Sequence, residues 1–315
     1  MNYREAHQSN DKKTNFVMAI YLLIFTFIGL LGDSLYYLSD YPDTNLSDIL
    51  YYIITFQSIP VVTPIFFGIA AVIIWVAISF GSKIMLSGNE YKNLDESDEL
   101  TLDEQQIVNI VEELLISARI RFRPKIYILE ADYMNAFASG WTEDNSMVCI
   151  TRGLMNALNR EEIEAVMAHE LAHIRNHDIK LTLMVGILTN VMVYAVDVMF
   201  YFFGRDSRSK AAGQIKIILF LLKIILPVIT IILQLYISRK REYMADAGAV
   251  EFTGNPEAMA NALEKISGHS GAEESDDERD NQTRKFAYIN GSDGFFSTHP
   301  SIENRIKALR GTARN

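Results

Sequence analysis

Residues 159–178 read NREEIEAVMAHELAHIRNHD, and the reading of the 315-residue chain turns on this stretch. At its centre, His169-Glu170-Leu171-Ala172-His173 is an H-E-x-x-H. On an α-helix, residues four apart lie on one face, one turn apart. His169 and His173 can therefore aim imidazole nitrogens at one metal ion, and Glu170 sits one step round, within reach of a water on that metal. A catalytic Zn²⁺ keeps one position for water beside its N and O ligands. It lowers the pKa of that water, and the carboxylate takes the proton as general base. The flanks predict a helix. Asn159 is a natural N-cap, and Glu162 completes a capping-box pattern. Glu161, Glu162 and Glu164 suit the positive end of the helix dipole. Ile163, Val166, Met167, Leu171 and Ile174 supply an apolar face. His177 continues the histidine series, but a further turn carries it about 6 Å beyond His173, so it reads as a surface residue.

The chain is 49% hydrophobic with a net charge of −10. The acidic balance argues against nucleic acid as a partner. Cys149 is the only cysteine, which excludes an intrachain disulfide and any multi-cysteine metal site. It reads as a small apolar residue in a strand.

The averages conceal a division into apolar and charged blocks. Residues 1–15 are polar. Within 16–86, the runs 16–32 and 60–80 carry no charge and predict two transmembrane helices. The intervening 33–59 holds Asp33, Asp40, Asp43 and Asp48 and no Lys or Arg, whereas Lys12, Lys13, Lys83 and Lys92 flank the runs. The positive-inside rule then places both flanks in the cytoplasm and an acidic 33–59 loop outside. A second apolar pair, 181–203 and 215–237, predicts a hairpin over 181–237. Asp197 and Lys223 would each lie roughly 10 Å from its turn and could pair, as charges in membranes usually do. Arg205, Arg208 and Lys210 in the turn oppose a full crossing, so the hairpin either spans or stays partly embedded.

The remainder is expected to form one domain in two parts, 88–180 with the H-E-x-x-H helix and 238–315. Residues 88–99 read as an acidic linker, and Thr101 with Glu104 opens an amphipathic helix that Arg123-Pro124 breaks. Strands are expected over 125–129, 135–141 and 147–151, with a turn at 142–145. Residues 268–284, rich in Asp and Glu, read as a solvated mobile loop, and a last helix starts near Pro300-Ser301. The fold class expected is α+β: a mainly helical zincin-type metalloprotease domain with a small β-sheet, two N-terminal transmembrane helices and a second apolar helical hairpin.

Two histidines leave zinc short of a protein ligand. The best candidate is Glu242 in SRKREYMAD, residues 238–246. Glu242 and Asp246 share a helix face, and a second carboxylate one turn on can accept the distal N–H of a ligand histidine. An isolated E-x-x-x-D would usually pair with neighbours such as Arg239 or Lys240 on a wet surface. Here the pieces occur in order. An H-E-x-x-H helix, an apolar hairpin and SRKREYMADAGAV, with Asn135-Ala-Phe-Ala-Ser-Gly140 upstream and Phe296-Ser-Thr-His-Pro300 downstream, resemble the HtpX family of membrane metalloproteases, relatives of the CAAX prenyl-protein endoproteases. The resemblance spans roughly residues 100 to 310.

What the resemblance implies is a zinc endopeptidase of the cytoplasmic (inner) membrane, active site facing the cytoplasm, that cleaves damaged or misfolded membrane proteins in protein quality control. One Zn²⁺ per chain would be held by His169, His173 and Glu242, with Glu170 as base and Asp246 supporting His169. Asn135, Ala136, Phe137 and Ala138 would form an edge strand that holds substrate by backbone pairing. His299 would stabilise the oxyanion or a substrate carbonyl, with Arg305 in support. A CAAX-type endopeptidase shares the motifs but usually has more spans than the four apolar blocks here. A non-catalytic zinc-binding scaffold is disfavoured, because every expected catalytic residue type is present. The polar flanks REEIE and RNHDIK favour an aqueous site at the membrane surface.

Overall fold

The computed structural model describes residues 3–86, 90–177, 179–180, 191–192, 194–199, 201, 210–269 and 301–312. The chain is mainly helical with one small sheet and divides into two compact units. The first comprises Met1–Lys12, Ile78–Leu183 and Gln234–Asn315, and the second Lys13–Ala77 and Met184–Leu233.

The second unit is built from apolar helices. Helix α1 (Tyr3–Asp40) enters it at Lys13, followed by the short α2 (Leu46–Ile54) and α3 (Val62–Leu86). On α1, Val17, Tyr21, Phe25, Ile28, Leu31, Leu35 and Leu38 are buried at helical spacing, while Phe16 and Leu23 face outward. Outward apolar side chains on a long helix whose 16–32 stretch carries no charge suit a lipid surrounding. Among the described residues, three helices are long and apolar enough to cross a membrane: Gln8–Asp40, Val62–Phe80 and Lys210–Ile229.

The expected 33–59 loop is largely helix. Helix α1 runs on to Asp40, and α2 occupies Leu46–Ile54. The reason lies in Asp33, which is fully buried. Its Oδ1 accepts the Val61 and Val62 N–H groups, both at 2.7 Å, and its Oδ2 accepts the Thr63 N–H at 2.9 Å and the Thr63 hydroxyl at 2.6 Å. These are the unpaired donors at the start of α3, so the charge ends no helix. Residues 181–190 of the expected hairpin lie outside the described residues, and 191–192 and 194–199 are helical. Asp197 and Lys223 do pair, with Lys223 Nζ 2.5 Å from Asp197 Oδ1.

In the first unit a four-stranded sheet has the order β1-β2-β4-β3, with β1 Tyr91–Asn93, β2 Lys125–Leu129, β3 Ala136–Ser139 and β4 Met147–Thr151. Strands β2 and β4 are parallel, and the outer pairs are antiparallel. Strand β1 lies inside the expected acidic linker. It is held there because Asp95 accepts the Ile126 N–H at 2.9 Å and pairs with Arg123. Strand β3 is shorter than expected, since Gly140 has φ +135° and a Cβ there would sit 2.5 Å from Ser146 Cα. Only glycine fits such a turn.

Helix α4 (Leu102–Ser117) opens with the expected capping box between Thr101 and Glu104 and ends six residues before Arg123, where Arg119 turns left-handed at φ 54°. Helix α5 (Arg152–Ala157) leads into α6 (Arg160–Asn176). Beyond them come α7 (Lys210–Thr253), α8 (Pro256–His269) and α9 (Ile302–Thr312). Helix α7 joins the apolar 215–237 block and the Glu242 segment in one element, carrying Pro227 within it. Helix α8 runs through Gly268 to His269, so the expected loop begins no earlier than 270, and 270–284 lies outside the described residues. One core, including Ile107, Val111, Leu114, Ile126, Ile128, Val148, Ile150, Val166, Ala249, Leu263 and Leu309, joins α4, α6 and α8 to one face of the sheet. On the other face Leu86, Leu129, Phe137, Met147 and Cys149 form a second cluster. Burial raises the Cys149 thiol well above its ordinary range, in keeping with an inert packing residue.

Candidate metal centre

Helix α6 is fixed at its start. Asn159 Oδ1 accepts the Glu162 N–H, and Glu162 Oε2 accepts the Asn159 N–H, both at 2.9 Å. One side packs on α4 and α8, the other on β3. His169 and Glu170 are buried and His173 is half-buried. Helix α7 brings Glu242 and Asp246, both buried, to the same place.

His169 Nε2 lies 3.1 Å from His173 Nε2 and 3.6 Å from Glu242 Oε2, and His173 Nε2 lies 3.9 Å from Glu242 Oε1. Atoms about 2.0–2.1 Å from a tetrahedral zinc stand roughly 3.3 Å apart, a separation these three distances bracket. Asp246 Oδ1 is 3.0 Å from His169 Nδ1. A proton held on Nδ1 leaves the Nε2 lone pair facing His173 and Glu242. Two imidazole lone pairs and a carboxylate converging away from solvent call for a cation, and two His with one Glu is the donor set of catalytic zinc centres. The residues fit the ion. Among the described residues, His169, His173 and Glu242 are the group whose ligand atoms lie within 4.8 Å of one another.

The surrounding charges act on these groups in opposite directions. Burial alone would push the His169 imidazole down, but Asp246 and Glu242 outweigh it and lift it to about 9. Burial raises the Glu170 carboxyl, partly countered by His173, His169 and the Ala138 N–H that it accepts. For Asp246, burial opposes the charge, but Arg305 and His169 hold the carboxyl below its usual range.

The remaining expected site residues divide. Strand β3 is the sheet edge, as expected, and Asn135 precedes it. The Thr151 N–H donates to Asn135 O at 3.0 Å, and the Asn135 N–H to Thr151 Oγ1 at 2.9 Å. Antiparallel alternation then turns the backbone groups of Phe137 toward β4 and those of Ala136 and Ala138 outward. The Phe137 side chain packs in the second cluster. Arg305 lies against the Asp246 and Glu242 carboxylates. It is fully buried, with Nε 2.9 Å and Nη2 2.6 Å from the Asp246 carboxylate and Nη1 3.2 Å from Glu242 Oε2. Two buried carboxylates demand a cation, and α9 supplies it. His299 lies outside the described residues. His177 caps α6 in a left-handed conformation, with Nδ1 3.4 Å from Asp11 Oδ1 and 3.0 Å from Lys180 Nζ. Two features escaped sequence reasoning: the Ala138 N–H on Glu170, and a close approach of Gly248 to Ala172. The small residues Ala245, Gly248 and Ala249 were the available signal for the second.

Residues 101–313 match Peptidase family M48. A Protease HtpX homolog of Helicobacter acinonychis (strain Sheeba) is 45% identical over 312 residues, covering 98% of each chain. A Protease HtpX homolog of Streptococcus uberis is 37% identical over 260 residues, covering 78% of this chain and 86% of its own. The crystal structure of S. mikatae Ste24p aligns at 19% identity and a TM-score of 0.48, over 95% of this chain and 65% of that one. With the match to two thirds of its length and a near full-length relative at 45% identity, the chain belongs to peptidase family M48, as an HtpX-like membrane metalloprotease.

Proposed function

We propose that the protein is a zinc-dependent endopeptidase that hydrolyses damaged or misfolded membrane proteins, with Glu170 as general base and the active site facing the cytoplasm. The observation that carries this reading is the convergence of His169, His173 and Glu242 beside a buried Glu170 tied to the edge strand. When bound, zinc supplies a Lewis acid that polarises a scissile carbonyl and lowers the pKa of water. His169, His173 and Glu242 would hold it, and Asp246 would keep the His169 proton on Nδ1. Glu170 takes a proton from water at its carboxylate and returns it to the leaving amine; its raised pKa suits both halves of that task. The outward Ala136 N–H and C=O and the Ala138 C=O would receive an extended substrate as an added strand, while the Ala138 N–H stays on Glu170. Strand addition reads backbone rather than side chains, which suits substrates recognised by being unfolded. The α1 and α3 spans, with Lys12 and Lys13 before the first and acidic residues between them, support the cytoplasmic orientation.

The test pairs zinc content with cleavage of an unfolded membrane protein, for the detergent-purified wild type and Glu170→Gln. One zinc per chain in both is expected, with the variant slower by about 10²–10⁴-fold. Undiminished cleavage by the variant would remove Glu170 as base. Cleavage of a prenylated peptide alone would favour the CAAX-type reading.

A further inference from the structure

The two helices that carry the candidate ligands meet at an unusually close point. A Cβ added at Gly248 on α7 would lie 2.6 Å from Ala172 Cβ on α6. Carbon atoms in contact sit about 3.5–4.0 Å apart, so any larger residue at 248 must open the helix pair by about 1 Å. Both positions are buried within one core, with Ala245 and Ala249 beside them. A side chain there has no solvent to turn into, and Ala172 has no flexible end to swing away.

On α6 the contact lies between the two histidines, and on α7 it lies one to two turns beyond Glu242. Ala172 immediately precedes His173 and is three residues past His169. Gly248 is two residues past Asp246 and six past Glu242, about 9 Å along the axis. His169 and His173 come from one side of the contact and Glu242 from the other, so the gap between α6 and α7 is also the gap a metal must bridge. Metal–ligand distances tolerate only about 0.2 Å. A displacement of about 1 Å, modest for helix packing, is several times that tolerance.

We propose that the Gly248–Ala172 contact is the spacer that sets the metal centre. Gly248 is a positioning residue: it touches neither metal nor substrate, and it acts by letting α7 approach α6 until Glu242 reaches the histidines. This rests on the reading of His169, His173 and Glu242 as metal ligands. The geometry also says that the two helices need one Cβ between them at this point, and that either helix can supply it.

The experiment uses full-length protein in detergent, stripped of metal, and measures zinc affinity by chelator competition alongside the melting temperature of the metal-free form. Four chains are compared: wild type, Gly248→Ala, Ala172→Gly, and the double variant Gly248→Ala/Ala172→Gly. Gly248→Ala should weaken zinc binding by about tenfold or more, in the range seen when support around a metal site is lost. Ala172→Gly should bind zinc within about threefold of wild type while melting lower, from glycine in a helix interior. The double variant, with its single Cβ moved from α6 to α7, should regain wild-type affinity even though it keeps the glycine penalty. That split between affinity and melting temperature is not expected of a merely structural contact. Gly248→Ala binding zinc like wild type would overturn the proposal, and so would a double variant that stays weak or does not fold. A wild type that takes up no zinc would overturn the metal-centre reading itself, and this inference with it.

Discussion

Two aspartates, one in each unit, are shut away from solvent by opposite means. Asp33, in the apolar unit, receives three backbone N–H groups and one hydroxyl from residues 61–63. Asp246, in the unit with the proposed metal ligands, is gripped by the Arg305 guanidinium and faces the His169 imidazole. Both solve the problem that a buried charge is costly unless paired and hydrogen-bonded. The first solution fixes a chain entry: it gathers the loose donors at the start of α3 and leaves nothing over. The second keeps the carboxylate ionised while its Oδ1, shared with Arg305, also faces an imidazole that can change protonation and that, as a proposed ligand, would take a metal. Backbone donors suit a joint, whereas ionised partners suit a site whose charge must change.

The comparison breaks most readily on the charged side. Arg305→Met removes the cation and leaves the Asp246 and Glu242 carboxylates buried together. Breaking a buried pair in this way costs about 3–5 kcal/mol. On the proposed ligand set zinc would present positive charge to Glu242 and, through His169, to Asp246, so the loss should be largest in the metal-free protein and smaller with zinc bound. Melting temperatures in chelator and in excess zinc read this out. A variant that melts with wild type in chelator would show that Arg305 does not hold these carboxylates.

A pH series sharpens the comparison, with an intermediate effect. His169 is lifted from 6.5 to about 9 in the metal-free fold. Its contribution to stability is therefore complete below pH 6.5 and is lost as pH rises through 9. Asp246 is depressed below 3.8, so its contribution is present above that pH and lost as pH falls through its lowered value. Zinc takes the imidazole deprotonated. Metal binding thus strengthens between pH 6.5 and 9, the window in which the metal-free fold weakens. At constant free zinc, the rise in melting temperature on metal addition should grow across that window. A rise that stays flat or shrinks would mean that His169 is not protonated in the metal-free protein.

What could be read in the sequence follows the same division between local and distant partners. The α6 capping box, the shared face of His169 and His173, and the pairing of Glu242 with Asp246 one turn on all rest on spacings of three or four residues, which a helix turns directly into geometry. Strands β2 and β4 and the placement of Cys149 were legible from apolar runs. Arg305 was not, because it meets Asp246 across 59 residues and nothing local marks its direction. Asp33 misled for the same reason. Its charge suggested a loop, since the donors that satisfy it lie 28 to 30 residues away. Strand β1 has three residues, too few for a periodicity to register.

The smallest effect should come from neutralising the other aspartate. In Asp33→Asn the amide oxygen can keep the Val61 and Val62 N–H groups. The amide nitrogen then faces the Thr63 N–H, donor against donor, while the Thr63 hydroxyl can rotate to accept. One backbone donor is left unmet, a cost of about 1–3 kcal/mol, and no cation is stranded. Asp33→Ala loses every acceptor and should cost more than Asp33→Asn. Neither variant should change zinc affinity, because none of their partners belongs to the metal centre. Metal-free melting temperatures of Asp33→Asn, Asp33→Ala and Arg305→Met, taken together, rank the two solutions. If Asp33→Asn proves as damaging as Arg305→Met, the charge of Asp33 matters as much as its geometry, and the distinction between a joint and a site would have to be redrawn.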